Sequence, residues 1–364
     1  MSYAQNMLRA RVRLPAEWEP QASIMLTWPH PHGDWGSNLP AAHEAFADLA
    51  AALIRFEPLL ITCYDEAHLA AVQEALVARG VPLAQISFVL CPSNDVWARD
   101  HGPITVYQEG ALPTLIDFTF NGWGSKFPAE LDNMLTRRLH AAGAFGTIDC
   151  RRIDWVLEGG GIESDGQGTI LTTRRCLLAE TRNPGLSQQQ IEMQLRDRLG
   201  AQRVLWLEHG ELEGDDTDSH VDMLARFCDV NTIAYTACDD PSDPHYANLK
   251  AMEAELQAFR TLRGEPYRLL PLPWPQPAYA DDGHRLPLSY ANFLIVNGGV
   301  IVPTYDDPAD ERAMAVLRKA FPDREIVGVP ALPIIVQHGS LHCVSMQLPR
   351  GVELPGRGRT LIAS

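Results

Sequence analysis

The feature that most constrains this chain is a helical rhythm. Amphipathic stretches begin near Asp65 (DEAHLAAVQEALVARG), Pro128 (PAELDNMLTRRLHAAG), Ser187 (SQQQIEMQLRDRLG), Tyr246 (YANLKAMEAELQAFRTLRG) and Pro308 (PADERAMAVLRKAF). In each, apolar residues recur at three- and four-residue spacing, which places them on one helix face. Several open on Asp, Ser or Pro and close on Gly, the expected helix punctuation. Successive starts lie 63, 59, 59 and 62 residues apart. Short strand-like runs fall between them: ISFVL, GPITVY, TILTT, VDMLARF, FLIVNGGVIVP and LHCVSMQL. Turn chemistry such as SDGQG and NGG separates these runs. Five units, each with strands and one helix, predict a ring-like α/β array. A further helix is expected ahead of the array, near Pro40 to Glu57, and the Pro-rich stretch 269–287 reads as a long surface loop bordering a site.

Length does not decide the domain count, since 364 residues suit two ordinary domains or one symmetric ring. Charge excludes more. With 30 basic and 46 acidic residues, the net charge is −16. Such a surface repels phosphate backbones and anionic lipids, so neither nucleic acid nor membrane is expected as a partner. No run approaches the length of a membrane-spanning helix, and the first twenty residues carry no leader-like apolar core. The expected location is the cytoplasm. Seven cysteines, an odd number without a C-x-x-C pair, fit neither a disulfide framework nor a zinc ribbon.

Unusual polar clusters recur at one phase of the repeat: WARDHGP at 97–103, LEGGG at 157–161, DDTDSHVDM at 215–223 and HGSLHC at 338–343. Asp100 and Glu158 are 58 residues apart, and Glu158 and His220 are 62 apart. In a ring, equivalent positions converge, so two carboxylates, a histidine and a cysteine are expected in one pocket. Cys343 follows a glycine and the adjacent His342, where a tight turn or close approach is possible. If DTDSHVD is a strand, Asp218, His220 and Asp222 share one face, and flanking carboxylates make the imidazole more basic. If Asp100 faces inward on a strand, Arg99 faces outward. Metal ligation is the rival reading, with His30, His32, His338, His342 and the DDTD run as donors. No H-E-x-x-H or EF-hand pattern supports it, and no P-loop is present either. Neither metal nor organic cofactor is expected.

WARDHGP, FNGWG, LEGGGIESDGQGT, DTDSHVD, YANFLIVNGGVIVP, FPDREIVGV and GSLHCVSMQLP resemble the signatures of the agmatine deiminases, a group related to bacterial peptidyl-arginine deiminase-like proteins. The likeness runs from about Trp18 to about Pro349, so a single domain over 1–364 is expected. The resemblance implies the pentein fold, a five-bladed α/β propeller of ββαβ repeats with pseudo-five-fold symmetry. By motif it places the nucleophile at Cys343 and the acid/base at His220. It places guanidinium-binding carboxylates at Asp100, Glu158 and Asp222, and a pocket wall at Trp97. Asp216 is the candidate for holding a distal ammonium. Two departures stand beside the site. QHGSLHC replaces the usual GGGNIHC, and DDTDSH replaces the usual EDTDGH. They bear on the substrate's tail rather than on the reaction.

The implied reaction is hydrolysis of agmatine to N-carbamoylputrescine and ammonia, as one step in making putrescine. The expected partner is thus a small guanidine cation, with oligomeric state left open. Alternatives are a deiminase of arginine or peptidyl-arginine, an amidinotransferase, or an idle pentein ring that only binds a cationic ligand.

Overall fold

A computed structural model describes residues 12–355 and 358–363. The segment 1–11, part of the stretch read above as free of a leader, lies outside the described residues. Eighteen strands are described. They are β1 Val12–Arg13, β2 Gln21–Thr27, β3 Leu59–Cys63, β4 Ile86–Leu90, β5 Ile104–Gln108, β6 Thr114–Thr119, β7 Cys150–Val156, β8 Ile162–Ser164 and β9 Thr169–Thr173. They continue as β10 Arg203–Leu207, β11 Ala225–Asp229, β12 Thr232–Thr236, β13 Arg268–Leu272, β14 Leu294–Val296, β15 Gly299–Thr304, β16 Glu325–Pro330, β17 Ser345–Pro349 and β18 Thr360–Ile362.

These strands form five sheets with one repeated topology. In four of them two strands pair antiparallel, a helix follows, and the next strand joins parallel to the second: β5-β6-β7, β8-β9-β10, β11-β12-β13 and β14-β15-β16. The crossover helices are Asp132–Ala141, Gln188–Leu199, Tyr246–Ala258 and Asp310–Ala320. The fifth sheet is closed by the two ends of the described chain. β17 pairs antiparallel with β2, which continues through helix Leu39–Leu53 to the parallel strand β3. Helix Glu66–Ala78 then leads to β4.

The helices form where their sequences dictate. Ser187 and Gln190 cap Gln188–Leu199 reciprocally, satisfying amides that the first turn leaves free. That helix ends at Gly200, in the left-handed region at φ 74°, where an added Cβ would sit 2.0 Å from the Val12 carbonyl. Asp310–Ala320 buries Ala313, Met314 and Leu317, the stripe that its spacing predicted. Apolar strands such as β3 (LLITC) are buried throughout, as strands covered on both faces must be. No described helix is long and apolar enough to cross a membrane.

Three local expectations are corrected. DSHVD is not a strand. Asp218 and Ser219 sit at φ 65° and 63°, and Val221–Met223 is a single 3-10 turn. The cause is the Asp215 carboxylate, which accepts from the Thr217 and Ser219 amides and closes a turn there. Ala98–His101 is a helical turn, and Arg99 is buried rather than outward-facing. The Pro-rich stretch begins as part of β13, and only the remainder is loop.

Candidate active site

Turns at the ends of these strands bring the predicted residues together. Cys343 lies two residues before β17 and is 4% exposed. Its Sγ lies 3.5 Å from Asp222 Oδ2, and Asn292 Nδ2 donates to it at 3.2 Å. Asn292 Oδ1 accepts from the Cys343 and His342 amides, which fixes the nucleophile's turn. Asp222 is fully buried and its Oδ1 has no protein partner, leaving an acceptor available to a bound donor.

His220 lies between two carboxylates. Its Nδ1 is 3.7 Å from Asp100 Oδ1, and its Nε2 is 3.9 Å from Glu158 Oε2. Neither ring nitrogen has a hydrogen-bond partner, although the side chain is 1% exposed. These gaps are longer than hydrogen bonds but well within Coulomb reach. Asp100 is held by Trp123 Nε1 at 3.0 Å and by the Gly160 amide at 3.0 Å. That amide approaches because Gly160 has no Cβ; one added there would lie 2.6 Å from His220 Nδ1 and 2.8 Å from Asp100 Oδ1.

Glu158 is placed differently from expectation. Both of its oxygens accept from Arg182 Nε, at 3.0 and 2.9 Å, and it is absent from the wall of the cleft. It backs His220 instead of facing the cavity. Arg182 also reaches Asp218 at 2.7 Å and the Thr217 carbonyl at 2.7 Å, fixing the turn that presents His220.

The electrostatics follow from burial and charge. Burial pushes the Cys343 thiol well above its ordinary value, and Asp222 and Asp100 push it further. Burial lowers His220, but Asp100, Cys176 and Glu158 outweigh it, so the imidazole stays protonated well above its usual range. Burial raises Asp100 to about 6 despite the nearby His220. Burial also opposes ionisation of Glu158, yet Arg182 and His220 bring it below the ordinary value. For Asp222, the hydrogen bond and charge of His342 overcome burial in the same way.

In front of Cys343 lies a cleft of about 590 Å³. Asp100, His220 and Cys343 form its floor, and Trp97 and Trp123, packed edge to face at 6.4 Å, form an apolar wall. Trp97 packs onto Gly339, where a Cβ would meet the indole at 2.2 Å. Close approach is therefore what this glycine permits. The left-handed residue of the turn is His338, at φ 71°. Further out the cleft is lined by Asp34, Asp95, Asp216, Gln337 and His338. Its lining contains four aspartates and neither lysine nor arginine.

Two clusters among the described residues group metal-ligand atoms within 4.8 Å of one another: Glu158, Cys176 and His220, and Glu17, Glu163 and His342. In each a buried arginine, Arg182 or Arg226, already holds the carboxylates. His30, His32 and His338 belong to neither cluster.

Residues 13–349 match the family model of the Porphyromonas-type peptidyl-arginine deiminases. The chain belongs to that family. Among this family's relatives, the agmatine deiminase of Stutzerimonas stutzeri is 36% identical over 92% of this chain and 95% of its own. A Porphyromonas gingivalis structure provisionally assigned as an arginine deiminase is 47% identical, with a TM-score of 0.87, over 93% of this chain and 99% of its own. The agmatine deiminase of C. jejuni, solved as a cysteine-to-serine variant with substrate bound, is 36% identical, with a TM-score of 0.86, over 94% of this chain and 97% of its own.

Sequence reasoning on this deiminase missed Arg182, Trp123, Asn292 and Cys176. Trp123 had a signal, because a tryptophan between Gly122 and Gly124 at φ 54° is a constrained backbone position. Arg182 and Asn292 had none, since their partners lie 24 and 51 residues away in the chain.

Proposed function

We propose that this chain is an agmatine deiminase, hydrolysing the guanidinium to a ureido group and ammonia through a covalent intermediate on Cys343. The observation that carries this reading is the charge of the cleft. Carboxylates flank the thiol, more carboxylates line the outer cleft, and no cationic side chain is present to meet a substrate carboxylate. Arginine and peptidyl-arginine would need such a partner, or an amide one; agmatine ends in an ammonium. Asp216, with Asp34 and Asp95, is the set we assign to that ammonium. We also read the five sheets as blades of one pentein propeller, with their turns meeting at the site.

The residues divide the work. Asp100 and the free Oδ1 of Asp222 accept guanidinium N–H groups, charge-assisted bonds that keep the group protonated and electrophilic. The incoming cation offsets the two carboxylates that hold the thiol neutral, so substrate promotes ionisation of its own nucleophile. The Sγ electron pair attacks the central carbon. His220, already an imidazolium, gives its proton to the departing nitrogen, and ammonia leaves. An S-alkylthiouronium remains. His220 then takes a proton from water, the resulting hydroxide adds to the same carbon, and the C–S bond breaks. Glu158, held by Arg182, keeps His220 charged and oriented. Ammonia release measured across agmatine, arginine, an arginine peptide and carboxyl-blocked arginine tests the reading. Turnover of arginine with none of agmatine would reverse it.

A further inference from the structure

The mechanism leaves one proton without a destination. His220 begins as an imidazolium, so it cannot also accept the proton that Cys343 loses. Bound substrate would fill the cleft in front of the sulfur. Behind Cys343, however, a continuous series of polar atoms leads away. The thiol donates to Asp222 Oδ2 at 3.5 Å, and the same oxygen lies 2.8 Å from His342 Nδ1. His342 Nε2 lies 3.1 Å from Glu17 Oε2. Glu17 lines a second cavity of about 680 Å³, which shares no wall residue with the catalytic cleft.

We propose that Asp222, His342 and Glu17 carry the thiol proton from Cys343 to solvent in this second cavity, and return it when the sulfur is released. This assignment rests on the deiminase reading above. In the forward direction the S–H bond breaks, its electron pair stays on sulfur, and the proton passes by way of Asp222 Oδ2 to His342 Nδ1. The Nε2 proton moves to Glu17 Oε2 and from there to water. The return journey reverses each transfer, so the imidazole needs no ring flip. No oxidant or co-reactant is involved.

The surroundings suit this task. His342 is 1% exposed and faces Asp222 and Glu17, with Arg226 and Arg99 nearby. Burial and these two arginines hold its imidazole below the usual value, so it is neutral and has a lone pair to offer. Burial opposes ionisation of Glu17, but Arg226 and His342 outweigh it and keep the carboxylate able to accept. Glu17 is fixed by Arg226 and by Gln347, and Glu163 holds Arg226 from the other side. With its side chain 10% exposed, Glu17 is the point where the path meets water. His342 therefore acts through Asp222 as a positioning residue and does not touch the substrate.

The test uses the full chain with His342→Ala. Removing a proton-transfer group is expected to lower kcat by about tenfold or more. KM should stay within about twofold, because no substrate contact is lost. The solvent deuterium isotope effect on kcat should grow. Added imidazole should restore turnover through the second cavity, whereas pyrrole, of the same shape but not a base, should not. Equal rescue by both, or an unchanged kcat and isotope effect, overturns the proposal. If His342→Ala does not fold, Glu17→Gln keeps a hydrogen-bonding side chain but accepts no proton; a normal rate and isotope effect there also overturn it. A wild-type chain inactive on every guanidine would be a failure of the function reading, separate from the path. In that event, alkylation of Cys343 by 2-chloroacetamidine, slowed relative to iodoacetamide in His342→Ala, supports the path, and equal rates overturn it.

Discussion

Arg182 Nε donates to both carboxylate oxygens of Glu158, at 3.0 and 2.9 Å, in a pair whose side chains are each 1% exposed. The catalytic histidine rests against this pair. A buried ion pair contributes little net stability, but breaking it leaves an uncompensated charge. Arg182→Met should therefore destabilise the protein by about 3–5 kcal/mol. It should also lower activity, since Glu158 would become harder to ionise and His220 would lose a counter-charge. Urea unfolding of the variant checks the first part, and an unaltered midpoint would contradict it.

Cys343→Ala should abolish ammonia release while the fold survives. The side chain is small, and its loss removes one thiol from a buried wall that Asn292 and Met223 still line. Steady-state assay beside far-ultraviolet circular dichroism is the check. Wild-type-like turnover in this variant would remove the sulfur from the mechanism.

For His220→Asn the expected loss of kcat is about 10²–10⁴-fold, the range for a group that transfers protons in the transition state. Substrate affinity should change less. A variant turning over at the normal rate would assign the proton transfers elsewhere.

Asp100→Asn should trade activity for stability. The native carboxyl is raised from its ordinary value of 3.8 to about 6, so its contribution to stability is full at low pH and is lost as pH rises through the native value. The variant cannot ionise. Its stability relative to wild type should improve between about pH 4 and pH 7, by on the order of 3 kcal/mol for a shift of this size. Activity should be nearly gone. Thermal unfolding of both proteins across that range is decisive, and parallel stability curves would mean that Asp100 does not titrate as the geometry implies.

The outer cleft can be tested through the substrate. Asp216→Asn should raise KM for agmatine by on the order of tenfold, as expected when a partly solvated ion pair is lost. Butylguanidine, which lacks the ammonium, should be turned over with the same KM by both forms. An equal effect on the two guanidines would place the ammonium elsewhere.

The sequence by itself determined what depends on near neighbours. Helix positions followed from apolar spacing and caps, so starts expected near Asp65, Ser187 and Tyr246 are met by helices at Glu66–Ala78, Gln188–Leu199 and Tyr246–Ala258. The polar clusters at 97–103, 215–223 and 338–343 were legible because such side chains have no place in an ordinary strand end. Tertiary structure decided which way each side chain faces and what it meets. Asp100 looks into the catalytic cleft and its neighbour Arg99 into the second cavity, because a helical turn, not a strand, presents them. Glu158 turned toward Arg182, and His342 joined Asp222 to Glu17 across 120 and 325 residues of chain. Local pattern cannot encode such meetings. They arise when sheets close on one another and each buried charge is left only the partners that the closed fold supplies.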